Sequence, residues 1–164
     1  MRLASRRGAA SPAAVATAAA AGILVVGALA AQGCASQEAA VRETIVRYND
    51  TLADAYERPD PELMRRLVGA RERERIAMYI LFQLKQGKVL RTTLNRLRFV
   101  SIAIKDNRAV AKTQEDWTFQ HLQKDTKRVL DKPRKIHYDA TYGLLYTKGR
   151  WIVDRLMVKE TPVK

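Results

Sequence analysis

From Ser36 to Glu57 apolar side chains recur at Val41, Ile45, Tyr48, Leu52 and Tyr56, in steps of four, three, four and four. Such steps keep them on one face of a helix. Pro59-Asp60-Pro61 ends that helix and starts another: Asp60 suits an N-cap, Pro61 the first helical position, and Glu62 the positive end of the dipole. A short helix carrying Leu63, Met64, Leu67 and Val68 comes next. "RERERIAMYILFQLKQG", 71–87, predicts a third helix with its charges first and an apolar body, stopped by Gly87.

Beyond Gly87 the period drops to two. "RFVSIAIKDNRAVAKTQEDWTFQHL" predicts two strands joined at Asp106-Asn107-Arg108, with Val100, Ile102 and Ile104 on one face of the first. Trp117 and Phe119 share a face of the second. Residues 123–135 are polar and basic and predict an exposed loop. "IHYDATYGLLYTKGRWIVDRLMVKE" is the clearest hairpin: Tyr138, Tyr142, Leu144 and Tyr146 alternate, Lys148-Gly149 turns, and Trp151 and Val153 begin the return. After Val153 the faces conflict, because Arg155 would share the side of Trp151 while Leu156 and Val158 fall opposite. Either both faces are partly covered or a bulge shifts the register. Helices first and strands afterwards predict an α+β domain, helices packed on an antiparallel sheet of about four strands.

The N-terminal pattern is different. Arg2, Arg6 and Arg7 precede a stretch, 13–31, with no charge, and small residues lead into Cys34. A cationic region, an apolar region and small residues in that order describe an export signal. The apolar stretch is also close to the roughly 20 residues that span a bilayer, so an uncleaved anchor is the competing reading. "SRRG", 5–8, lacks the apolar residues expected just after the arginines of a twin-arginine signal. Up to Cys34, with Gly33 before it and Ala31 at the position more often Leu, the sequence resembles a bacterial lipoprotein signal peptide. That resemblance implies cleavage before Cys34 and lipid on its thiol and amino group. The implied organisation is 1–33 signal peptide, 34–37 lipidated N-terminus and tether, 38–160 a single domain, and 161–164 a tail. The chain is then tethered in the cell envelope, facing outside the cytoplasm. Cys34 is the single cysteine, so no disulfide framework is available and the domain must rely on its core.

Charge adds a candidate partner. Residues 34–84 hold 8 Lys+Arg against 9 Asp+Glu, whereas residues 85–164 hold 19 against 8. A basic face suits an anionic lipid surface, where each Lys or Arg contributes about 1 kcal/mol. Nucleic acid is the other usual partner of a basic face, but no helix-turn-helix spacing, zinc ligands or RNA-binding aromatic signature supports it, and none is expected.

The order of one long helix, short helices and a meandering sheet, together with the hairpin "YDATYGLLYTKGRWIVDRL", 138–156, resembles the nuclear transport factor 2-like superfamily of cone-shaped α+β folds. The resemblance covers about residues 38–160, and the hairpin is its distinctive part. Enzymes of that superfamily, among them isomerases and cyclases, place acid/base residues between sheet and helix. Others of its members are protein-docking or assembly modules. The candidate acid/base groups are Asp50, Asp54, Glu115, Asp116, Asp139, His121 and His137. Asp50 and Asp54 lie off the apolar face and are expected in solvent; His137 and Asp139 alternate against the tyrosine row and are expected to point outward. His121 shares the side of Trp117 and Phe119 and is a pocket candidate. No isomerase or hydrolase triad maps onto these residues, and neither histidine has a second metal ligand at helical or hairpin spacing. Trp117, Phe119, His121, Tyr138, Tyr142 and Trp151 are the residues expected to form either core or pocket lining. The expectation is therefore a non-catalytic, membrane-tethered lipoprotein that docks another envelope protein, without cofactor or metal; a pocket for a small apolar ligand or lipid is the alternative, and an isomerase- or cyclase-type enzyme the second alternative.

Overall fold

A computed structural model describes the backbone of residues 24–161 and the side chains of 35–161. Arg2, Arg6, Arg7 and most of the apolar stretch lie outside the described residues, as does the side chain of Cys34. Among the described residues no helix is long and apolar enough to cross a membrane. The chain divides into two units after Cys34, and the second, 35–164, contains the sheet and the side chains that pack on it.

Helix α1 spans Leu24–Glu57 and so begins upstream of the expected Ser36. Its buried face is Val41, Ile45, Tyr48, Leu52 and Ala55. Asp60 then caps a short 3-10 helix, Pro61–Met64, by accepting from the Glu62 backbone N–H at 2.9 Å. The expected second helix goes no further. Leu67 and Val68 instead pair with the last strand, Arg150–Thr161: the Gly69 N–H donates to the Val153 carbonyl and the Val153 N–H to that of Leu67, both at 2.8 Å. A Cβ at Gly69 would stand 2.7 Å from Oδ1 of Asp154, whose side chain would have to turn aside. Helix α2, Ala70–Lys85, buries Glu72, Ile76, Ile80 and Gln83, and Gly87 comes after it with φ of +68°.

Four strands make one antiparallel meander in the order β1 (Lys88–Lys105), β2 (Arg108–Gln123), β3 (Arg134–Thr147) and β4 (Arg150–Thr161). β1 starts ten residues before the expected Arg98. Two register shifts, at Asn95 and Val100, break its alternation and hide it from a period-two reading. Across the shifts the face toward the helices reads Leu90, Thr92, Leu94, Leu97, Phe99, Ile102 and Ile104. Val100, expected beside Ile102, is the extra residue and stays exposed, while Phe99 packs on the core in its place. On β4 the extra residue is Asp154, so Leu156 and Val158 return to the inner face opposite Tyr142 and Ala140. The conflict in the hairpin's pattern is thus a bulge.

Helix α1 packs on that inner face, Val41, Ile45 and Tyr48 against Ala109, Ala111, Ala140, Tyr142, Leu144, Trp151 and Val153. The alanines let helix and sheet approach; Tyr48 and Tyr142 fill the middle, ring edge to face at 5.8 Å. Farther along β2, Ala gives way to Thr113, Glu115, Trp117 and Phe119, and there the interior opens.

Candidate functional site

The opening is a pocket of about 200 Å³ between both helices and the sheet. Asn49, Leu52 and Tyr56 come from α1, Arg75 and Tyr79 from α2, Leu90 and Thr92 from β1, Glu115, Trp117 and Phe119 from β2, Tyr138 from β3, and Leu156 and Val158 from β4. Trp117 and Phe119 stack at 6.1 Å, and Phe119 meets Tyr138 edge-on at 6.1 Å, giving one wall an aromatic surface.

Glu115 is 3 % exposed. Alternation puts Thr113, Glu115 and Trp117 on one face, so its strand neighbours become its donors: Thr113 Oγ1 donates to Oε1 at 2.7 Å and Trp117 Nε1 to Oε2 at 2.8 Å. Tyr142 Oη adds a third bond to Oε1 at 2.6 Å. Burial, and then the adjacent Glu115 charge, hold the Tyr142 hydroxyl protonated well beyond its ordinary range.

Tyr142 Oη also stands 3.0 Å from Asn49 Oδ1, and Asn49 Nδ2 is buried without a protein partner. A phenol has one proton, and the shorter bond to a carboxylate takes it. The Asn49 amide is therefore turned over, with Nδ2 donating to Tyr142 Oη and Oδ1 taking the position that has no protein partner, an orientation assigned from the hydrogen-bond network. The Thr92 hydroxyl is likewise buried without a protein partner. Both residues line this pocket. Buried polar groups left unpaired cost about 1–3 kcal/mol each, so two in one pocket point to something that occupies it, solvent or ligand.

A second buried carboxylate adjoins. Glu72, 2 % exposed, accepts from Tyr48 Oη and from Nε and Nη2 of Arg75. Partial burial opposes the charge on Arg75, but the bond to Glu72 and the charge interactions with Tyr48, Tyr56 and Glu72 together outweigh it, and the guanidinium is held more firmly protonated than usual. Tyr48 is raised by burial and by Glu72, and Tyr56 is pushed up to about 12 by burial. Thus Glu72 has a cation and Glu115 has none among the ion pairs of the described residues.

Of the expected aromatic residues, Trp117, Phe119 and Tyr138 line the pocket. Tyr142 belongs to the core and only its hydroxyl reaches the floor, and Trp151 packs on Tyr146 in the core. His121 does not line this pocket: its Nδ1 turns to Asp131 Oδ2, in an adjoining depression of about 240 Å³ that shares Tyr79, Leu90, Phe119 and Tyr138 with it. Asp50 and Asp54 are exposed. Asp116 and His137 meet at 2.6 Å on the opposite face of the sheet, with Arg96 beside them, and the bond to His137 holds Asp116 below its ordinary range. Asp139 is exposed there too. A wider depression of about 480 Å³, containing Arg71, Arg75 and Arg155 with Glu72 and Asp154, has no unpartnered buried atom of its own. No group of three or more His, Cys, Asp or Glu among the described residues is placed to hold a metal.

Asn49, Thr92, Glu72 and Arg75 are absent from the residues that sequence pattern singles out. Asn49 carried a signal: it lies four residues after Ile45 and three before Leu52, a polar residue inside the apolar stripe. Glu72 is the same case, four residues before Ile76 and eight before Ile80.

No protein-family model matches the chain, and no curated protein sequence does. Among solved structures it is similar in fold to the crystal structure of the intermembrane space region of chloroplast protein ARC6, with a TM-score of 0.61 and 14% identity over 74% of this chain and 95% of that one.

Proposed function

We propose that this chain is a membrane-tethered envelope lipoprotein whose α+β domain, a nuclear transport factor 2-like cone, holds a small molecule in the open end between helices and sheet. One observation carries the reading: Asn49 and Thr92 present unpartnered buried polar atoms at a pocket whose walls, apart from Glu115 and Arg75, are aromatic and aliphatic. A few fixed polar groups in an apolar concavity are the usual composition of a ligand site. The size sets the scale of the occupant. It exceeds the about 150 Å³ cavity that takes benzene and is smaller than the roughly 300 Å³ at the low end of drug-sized sites, so a single-ring molecule suits it.

The site favours holding over turnover. Both oxygens of Glu115 are engaged by protein donors, and the Asp116–His137 pair faces the other side of the sheet. Tethering rests on Cys34 and its resemblance to a lipoprotein signal; the similarity to a region between two membranes is in keeping with an envelope setting.

The test is an NMR screen of single-ring compounds against the full chain, repeated with Val158→Trp, which crowds the rim. Compounds that bind the parent and are lost from a folded Val158→Trp support the reading; a screen without a binder, or with binders indifferent to Val158→Trp, contradicts it. One observation favours protein docking as a second reading: Met78 and Phe82, one turn apart on α2, are 61% and 57% exposed. An envelope partner bound there would lose affinity in Phe82→Lys and keep it in Val158→Trp.

A further inference from the structure

The charges at the pocket restrict its occupant further than size and apolarity do. Of the two buried carboxylates, Glu72 is neutralised by Arg75, and that pair brings no net charge to the site. Glu115 is held by three neutral donors and no cation. A buried charge is stable when it is paired, and here the open side of the pocket is where a partner can enter. The hydrogen-bond capacity agrees. With Asn49 donating to Tyr142, the unsatisfied capacity beside Glu115 is Asn49 Oδ1 and the second lone pair of Glu115 Oε2, while the Thr92 hydroxyl lies farther along the sheet, opposite Phe119. Both groups beside Glu115 are acceptors. A primary ammonium has three N–H donors and no acceptor.

Resting on the small-molecule reading above, we propose that the ligand is an organic cation: a single-ring primary amine whose ammonium group bonds to Glu115 and Asn49 while its ring lies against Trp117, Phe119 and Tyr138. The aromatic wall favours the same charge, because ring faces attract cations and Trp does so best. It also supplies the apolar area that a ring buries. An anion is disfavoured at this floor by the Glu115 charge, and a neutral alcohol brings one donor where two acceptors wait.

Three ligands of matched size separate the cases: phenethylamine hydrochloride, 2-phenylethanol and sodium phenylacetate, titrated by calorimetry into the full chain at one ionic strength. The amine is expected to bind at least tenfold more tightly than the alcohol, and the carboxylate least. In Glu115→Gln the amine is expected to lose tenfold or more while the alcohol changes less than threefold. The wild-type comparison needs no variant, so it decides even if Glu115→Gln does not fold. Alcohol or phenylacetate binding as tightly as the amine would overturn the cation assignment and leave the pocket reading standing. Failure of all three to bind the folded chain would overturn both.

Discussion

Tyr142→Phe removes one oxygen atom and leaves the ring that packs against Tyr48, so its cost measures the polar network with little disturbance of the apolar core. In the parent the hydroxyl gives its proton to Glu115 Oε1 at 2.6 Å and accepts from the Asn49 amide. A bond to a charged group contributes about 1.5–3 kcal/mol, and a buried amide left without its partner costs about 1–3 kcal/mol. Asn49 borders an open pocket and can recover part of that from water, so the lower half of its range applies. The expected loss is about 3 kcal/mol, which for a domain of this size lowers Tm by roughly 10 °C. Urea unfolding of the full chain, followed by tryptophan fluorescence, reads the change as a shift in midpoint at constant slope. Tyr146→Phe is the control: Tyr146 is 46% exposed and its variant should stay within about 0.5 kcal/mol of the parent. The double variant Tyr142→Phe/Glu115→Gln should cost less than the two singles together, because the shared bond is lost once. A loss below about 1 kcal/mol for Tyr142→Phe, or strict additivity with Glu115→Gln, would refute the network as drawn.

The remaining predictions concern protonation, tethering and the membrane surface. Tyr48 and Tyr142 have raised folded pKa values, chiefly through burial, against about 10 when unfolded. Their contribution to stability is therefore complete below about pH 10 and is lost as pH rises above it; tyrosinate absorbance should show these residues ionising only with loss of the circular dichroism signal, and a single step near pH 10 in a still-folded chain would contradict this. Cys34→Ser should leave the precursor uncleaved and unlabelled by fatty acid; unchanged mass and membrane partition would remove the lipoprotein reading. The exposed β2–β3 loop presents Val129 and Leu130 among Lys124, Lys127, Arg128, Lys132, Arg134 and Lys135, a composition suited to an anionic bilayer surface. Binding to phosphatidylserine vesicles should weaken with salt and fall several-fold in Val129→Ser/Leu130→Ser, and equal binding by the double variant would remove the loop from the contact.

Much of the fold was legible in the sequence because local pattern and tertiary burial agree. The stripe from Val41 to Leu52 is the buried face of α1, and the hairpin through Lys148-Gly149 is observed with both turn residues at positive φ. The losses fall where one extra residue enters a strand. Asn95 and Val100 each reverse the faces of β1, so its first half shows no alternation and Val100 falls in step with Ile102 along the chain. Asp154 did the same on β4, but there the conflict between Trp151 and Leu156 was visible and named the bulge as one of two solutions. The site was half legible. Trp117, Phe119 and Tyr138 carry strand period, and Glu115 was one carboxylate among several. Its burial depends on Tyr142, 27 residues away, and the second buried carboxylate, Glu72, depends on Tyr48, 24 residues away. Periodicity registers neighbours along the chain and is blind to such partners.

A ligand at the floor beside Glu115 is the central claim, and the chain's two tryptophans provide a reporter and its control. Trp117 Nε1–H bonds to Glu115 Oε2 at the pocket, whereas Trp151 lies in the core. In a nitrogen-15 correlation spectrum of the full chain titrated with phenethylamine hydrochloride, the Trp117 indole resonance should move saturably while that of Trp151 stays in place. An unmoved Trp117 resonance at saturating amine, or equal movement of both, would contradict the claim.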